Sequence, residues 1–122
     1  MIPTNLDECF NELLRELTDE EIKQFKAGSE DETVKYHCGL GIWLRNSWGL
    51  WQGSELAKWF NSIGIHHPDD MSGIILTSFW RHLHSKQVHL SDQVKFYQDY
   101  WLAQEPYIDG SITNFSVNFK FS

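Results

Sequence analysis

The sequence has only two cysteines, Cys9 and Cys38. Their spacing fits no metal-ligand pair, and two thiols cannot form the dense disulfide framework of a small secreted domain. Buried thiols are the expected role. Long apolar runs are also missing: no stretch approaches the roughly 20 apolar residues of a membrane span. The N-terminal MIPTNLDECF is polar and acidic where a secretory signal would be basic and then apolar. A cytoplasmic protein without membrane contact is expected. Basic residues are scarce at one end. Residues 1–32 carry ten acidic side chains and three basic, whereas residues 33–122 carry seven of each, so the whole formal charge of -7 belongs to the first region. A field of that sign repels nucleic acid and anionic membrane and attracts a basic protein surface. Catalytic fingerprints are lacking too. No serine stands in a nucleophile elbow, no Walker loop is present, no cysteine has a cluster of positive charge beside it, and the GLG at 39–41 lacks the third glycine of a dinucleotide fingerprint. There is no internal repeat and no low-complexity linker.

What is present is apolar and aromatic. Of 122 residues, 41% are hydrophobic and 15% aromatic, enough for one compact domain with a real interior. Four of the six tryptophans fall in LGIWLRNSWGLWQGSELAKW, residues 40–59. Such density suits helix-packing anchors or one wall of a binding surface. Trp43, Trp59, Trp80 and Leu76 are expected to share one core.

The periodicity is helical over most of the chain. Leu6, Phe10, Leu13, Leu14 and Leu17 fall on one face after a possible N-cap at Thr4, which predicts a helix over 5–17. Thr18 and Glu21 have the spacing of a capping box and open a short helix ending near Gly28, with Ile22 and Phe25 as its buried pair. A third helix is predicted from 31–33 through Tyr36, Leu40 and Leu44. Gly39 and Gly41 cost it about 1 kcal/mol each and call for a close approach, a kink or an anion-binding turn. A turn follows over 48–53. Ser54 then caps a helix carrying Leu56, Trp59, Phe60 and Ile63 that stops at Gly64. His67, Pro68, Asp69 and Asp70 place proline in a first turn and two carboxylates at the positive end of the next helix. Its apolar residues cover more than one face, which predicts the central buried helix. Ser91 is the expected cap of a last helix, with Leu90, Val94, Tyr97 and Trp101 on one face and Pro106 ending it. In NFSVNFKFS, Phe115, Val117, Phe119 and Phe121 alternate with polar residues, the period of a half-buried strand.

The segment HCGLGIWLRNSWGLWQGSELAKWFNSIGIHHPDDMSGIILTSFWRHL, with its HxGLGxWxRNxWGLWxGSxLxxxF and HPDDMSxxILxS patterns, resembles an uncharacterised bacterial domain family of small cytoplasmic proteins. The resemblance covers about residues 37–83, leaves the acidic first 32 residues and the 112–121 tail outside, and implies no reaction. In size and acidity the chain also resembles immunity proteins of contact-dependent or secretion-delivered toxin systems, many of which cover the active site of a basic nuclease.

Each chemical candidate has a plainer alternative. His66 and His67 are adjacent, and His82 and His84 diverge by about 200° on a helix, so neither pair chelates. His37 with His67, Asp69 or Asp70 could converge as an acid–base or metal set, although a helix start explains the HPDD residues without chemistry. Arg45 and Asn46 could grip a carboxylate or phosphate; an internal tie from Arg45 to Asp69 or Asp70 is the stronger expectation. Glu8, Glu12 and Glu16 repeat at i, i+4, where like charges destabilise a helix by a few tenths of a kcal/mol per pair. A solvated face is the ordinary meaning of that stripe. With Asp19, Glu20, Glu21, Glu30, Asp31 and Glu32 nearby, it also suits a docking surface.

The sequence therefore predicts a single all-α domain, residues 1–122, of about six helices with a short C-terminal β-strand. Its expected function is that of an immunity protein, which binds a cognate basic toxin domain, a nuclease, and blocks its active site. The partner-binding residues would be Glu8, Glu12, Glu16, Asp19, Glu20, Glu30, Asp31 and Glu32. No catalytic residue, metal or cofactor and no direct nucleic-acid contact is expected. The alternatives are a small hydrolase or ligand-binding domain using His37, Arg45 and the HPDD segment, and a structural interaction module.

Overall fold

A computed structural model describes residues 1–104, and these are helical: α1 (Leu6–Glu16), α2 (Asp19–Ala27), a 3-10 helix (Asp31–Tyr36), α3 (Leu40–Ser47), α4 (Glu55–Ser62), α5 (Pro68–Leu83) and α6 (Leu90–Gln104). The all-α class holds. The strand expected over 115–121 lies outside the described residues.

Every other helix packs on α5. Its start follows from local chemistry. Pro68 occupies the first turn, and His67, as N-cap, accepts the Asp69 N–H at Nδ1 over 3.0 Å. From there Met71, Ile74, Ile75, Leu76, Phe79 and Trp80 are all buried. These line several sides of the helix, so α5 is the axis of the fold. The core around it takes Leu6, Phe10 and Leu13 from α1, Phe25 from α2, Leu44 from α3, and Leu56 and Phe60 from α4. Phe25 joins the Tyr36 ring edge-on at 4.8 Å and meets Phe79 at 5.6 Å. The Trp80 indole N–H closes the far end with a 2.9 Å bond to the Gly28 carbonyl.

The acidic end is built largely from caps. The Thr18/Glu21 capping box forms as its spacing predicts. At α1 the N-cap is Asn5 in place of Thr4, and Thr4 instead donates its N–H and hydroxyl to the Glu8 carboxylate, each at 2.8 Å. Ser29 and Glu32 make the same reciprocal pair ahead of the 3-10 helix.

The predicted third helix is two elements. The chain runs as a 3-10 helix to Tyr36, breaks over 37–39, and restarts at Leu40. The break corrects the set of core tryptophans. Starting α3 at Leu40 turns Gly41, Leu44 and Arg45 inward, and Trp48 follows on the same side. Trp43 falls roughly opposite on a 3.6-residue period and is 38% exposed, resting edge-on against the buried Trp48 at 5.7 Å. Trp59 is half-buried against the core, while Trp80 and Leu76 are interior as expected.

The last helix begins at Leu90, one residue before the expected cap, with the His89 carbonyl accepting the first helical N–H groups. Leu90, Val94 and Tyr97 lie on the core. Close approach is possible because residue 73 of α5 is glycine: a Cβ there would stand 2.6 Å from the Tyr97 hydroxyl. Phe96, Tyr100 and Leu102 stay exposed.

Candidate functional site

Arg45 brings together most of the residues that the sequence singled out. Its side chain is buried at the junction of α3, α5 and the 37–39 break. Nη1 donates to Ser72 Oγ over 2.7 Å, Nη2 to the His37 carbonyl over 3.2 Å, and Nε lies 3.4 Å from Asp69 Oδ1. Ser72 passes the chain on, donating its hydroxyl to the Asp69 carbonyl at 3.0 Å. The His37 ring contributes Nδ1 at 3.5 Å from Nη1. The expected internal tie from Arg45 is thus present, to Asp69. Gly41 makes room for it, since a Cβ would stand 3.0 Å from Nη1 and 3.3 Å from the Tyr36 carbonyl oxygen. That is the reason the sequence required for this glycine, although the approaching group belongs to its own helix. The guanidinium is directed into the protein, where it locks the break to the start of α5.

Around the same helix start stands an aromatic group. Trp51, 53% exposed on the turn after α3, meets the His67 ring edge-on at 5.6 Å and 77°. On the other side Trp101 of α6 lies nearly parallel to His67, at 6.2 Å and 23°. The Trp101 indole N–H donates to Asp70 Oδ2 over 2.9 Å. Partial burial raises the Asp70 carboxyl above its ordinary value, and the bond from Trp101 and the nearby His67 offset only part of that. Burial likewise raises the Tyr97 phenol, helped by the Asp70 charge. Sequence reasoning named His67 and Asp70 but missed Ser72, Trp51 and Trp101. Trp101 lies 31 residues from Asp70, and nothing local signals the pairing.

The acidic surface is smaller than the sequence suggested. Glu12 must be withdrawn from it: its side chain is 4% exposed, with a carboxylate oxygen 3.5 Å from Arg15. The reason is position, because Glu12 falls among Cys9, Phe10 and Leu13 on the buried side of α1. Glu8 is exposed enough to meet a partner but is tied to Thr4, whose backbone and hydroxyl bonds hold its carboxyl below the usual range. Lys35 and the Ser29 N–H hold Glu32 down to about 2. Glu30 pairs with Arg81 at 2.8 Å. Glu16, Asp19, Glu20 and Asp31, with Asp7, remain exposed and have no ion pair among the described residues. Glu16, Asp19 and Glu20 cluster where α1 turns into α2.

The remaining histidines pack or cap. His82 stacks on Phe10 at 4.6 Å, and His84 stacks on Trp80 at 3.9 Å while its Nε2 meets the Lys26 carbonyl. Among the described residues no three His, Cys, Asp or Glu side chains converge as a metal-ligand set. Cys9 is buried, which raises its thiol above the ordinary value, and Cys38 is exposed; both are free. No helix among the described residues is long and apolar enough to cross a membrane.

A family model described as Domain of unknown function (DUF6794) matches residues 2–83. Neither the curated proteins nor the solved structures yield a match. The family match is longer than the segment whose motifs suggested it, and takes in α1 and α2. The acidic region is therefore part of the family domain, which corrects the expectation that it lay outside; α6 begins beyond the match.

Proposed function

We propose, for a chain that belongs to the DUF6794 family, the role of an immunity protein: it docks a cationic toxin domain, a nuclease, and blocks that domain's active site. The observation that carries this is the exposed corner Glu16, Asp19 and Glu20, at the end of the chain that holds the entire net charge of -7. Caps and core contacts explain Glu8, Glu12, Glu21 and Glu32, and Asp19 and Glu20 favour the macrodipole from the first turn of α2, but Glu16, Asp19 and Glu20 have no ion-pair partner among the described residues. Adjacent carboxylates without counterions repel one another, and a basic surface relieves that repulsion while accelerating encounter.

The hydrolase alternative draws less support from the geometry, because the Arg45 guanidinium is aimed at Ser72, the His37 carbonyl and Asp69. The test is co-expression with the product of the adjacent reading frame. The wild-type chain should protect cells from that product, and a chain with Glu16→Gln, Asp19→Asn and Glu20→Gln should not. Protection equal to wild type would remove the acidic corner from the mechanism, and a harmless neighbouring product would remove the immunity role.

A further inference from the structure

We propose that α6 exchanges between two copies of this chain: α5, the 84–89 linker and α6 straighten into one helix, whose second half docks on the α5 of the other copy. The linker carries the first observation. Ser85 and His89 both hold left-handed backbone, at φ 55° and 52°, where a side chain crowds the following carbonyl oxygen. Ser85 occupies the position after the α5 cap that glycine ordinarily takes, with the Lys86 N–H returning to the Arg81 carbonyl at 2.9 Å. His89 stands directly before α6, where extended backbone is usual. Arg81 is strained in another way. Its Nη1 donates to the Gln87 carbonyl of the linker at 3.2 Å, while its Nε is buried without a hydrogen-bond partner.

The second observation is that nothing in the linker sequence calls for a turn. Neither glycine nor proline occurs between Gly73 and Pro106, so residues 84–89 can continue α5 as helix. The phase of the apolar residues also carries across the linker. Leu83, Gln87, Leu90, Val94, Tyr97 and Trp101 follow one another in alternating steps of four and three, the stripe of a single long helix with Gln87 as its one strongly polar member. Straightening removes both left-handed residues and keeps that stripe in register.

The third is how α6 is seated. It has no fully buried side chain, and its contacts with α5 are ones a second copy supplies equally well. Gln93 Nε2 donates to Ser78 Oγ at 3.0 Å, Trp101 donates to Asp70, and the Tyr97 hydroxyl lies over Gly73. Exchange preserves all three between copies and gives up little beyond the bonds that hold the turn, such as Gln93 Nε2 to the Val88 carbonyl at 2.9 Å. Short hinges under strain favour exchange of this kind. The family match ends at residue 83, where α5 ends, so the exchanged helix is the part added beyond the family domain. The exchange does not depend on the toxin partner proposed above.

Unfolding the full chain in urea and refolding it at low and high protein concentration, followed by size-exclusion chromatography with light scattering, tests the proposal. The dimer fraction should rise with the concentration at refolding. Ser85→Gly and His89→Gly relieve the turn, and each should lower the dimerisation constant at least about 10-fold, because every dimer carries the residue twice. Ser85→Val and His89→Val should raise it, since branched side chains tolerate positive φ worst. A cross-link distinguishes exchange from simple association. In a Cys38→Ser background, Ser78→Cys with Gln93→Cys, oxidised by diamide after refolding, should give a covalent dimer on a denaturing gel from the dimer fraction and a covalently closed monomer from the monomer fraction. A chain that stays monomeric after refolding at high concentration, a dimer whose cross-link stays within one chain, or glycine variants that dimerise as wild type does would each overturn the proposal.

Discussion

Replacing Arg45 should cost far more than replacing its ionic partner, and the inequality follows from where the two charges sit. The guanidinium is 7% exposed, whereas Asp69 is 45% exposed. An ion pair with one half-exposed member is screened and contributes about 0–1 kcal/mol. The Arg45 bond to Ser72 is buried and that to the His37 carbonyl partly buried, and losing the donor leaves that carbonyl without this partner, a cost of about 1–3 kcal/mol. Ser72 retains its bond to the Asp69 carbonyl, which limits the damage. Arg45→Met should therefore destabilise by about 2–4 kcal/mol, and Asp69→Asn by less than about 1 kcal/mol. Arg45→Lys should recover little, because an ammonium cannot reach three partners set in a planar fork. Urea unfolding with a shared slope measures all three. If Asp69→Asn cost as much as Arg45→Met, the ion pair and not the buried bonds would hold this junction together.

Trp80→Ala should destabilise by about 3–5 kcal/mol, because the ring is interior and its N–H is bonded to Gly28; an unfolding midpoint equal to wild type would contradict the core assignment. Gly41→Ala should also destabilise, by about 1–2 kcal/mol, where helix propensity alone would give a gain of about 1 kcal/mol. The Tyr36 carbonyl and the thrice-held guanidinium cannot retreat from the added methyl, and a raised melting temperature would show that they do. The Asp70 carboxyl is raised in the folded chain, chiefly by burial, so the folded state binds that proton more tightly than the unfolded state does. Its ionisation thus lowers stability above the folded value, and the penalty is absent below the unfolded value of about 3.9. Asp70→Asn should accordingly be at least as stable as wild type at neutral pH, with the difference closing on acidification. A variant markedly less stable at pH 7 would refute this.

Short-range chemistry was the legible part. The HPDD segment and the apolar residues after it identify α5 as the central helix, and the Thr18/Glu21 spacing identifies the start of α2, because both rest on contacts within one turn. The Trp43 and Glu12 expectations failed on rotation about a helix axis. A helix drawn continuously from 31–33 does not reveal which side of α3 faces inward once the chain restarts at Leu40. Equal i, i+4 spacing likewise could not show that the face shared by Glu8, Glu12 and Glu16 grades into Cys9 and Leu13. The Arg45 tie to Asp69 was foreseeable from charge, but its strongest bond, to Ser72, spans 27 residues and requires the fold. The Trp101 bond to Asp70 is hidden for the same reason.

The central claim, that the α1–α2 corner recruits a cationic partner, is tested most directly by the association rate of this chain with the adjacent gene's product across ionic strength. Screening lengths fall from about 30 Å at 0.01 M salt to about 8 Å at 0.15 M. The wild-type rate should drop steeply over that range. The Glu16→Gln, Asp19→Asn, Glu20→Gln chain should associate about ten-fold more slowly at low salt and depend on salt only weakly. Equal rates and equal salt slopes for the two proteins would contradict the claim.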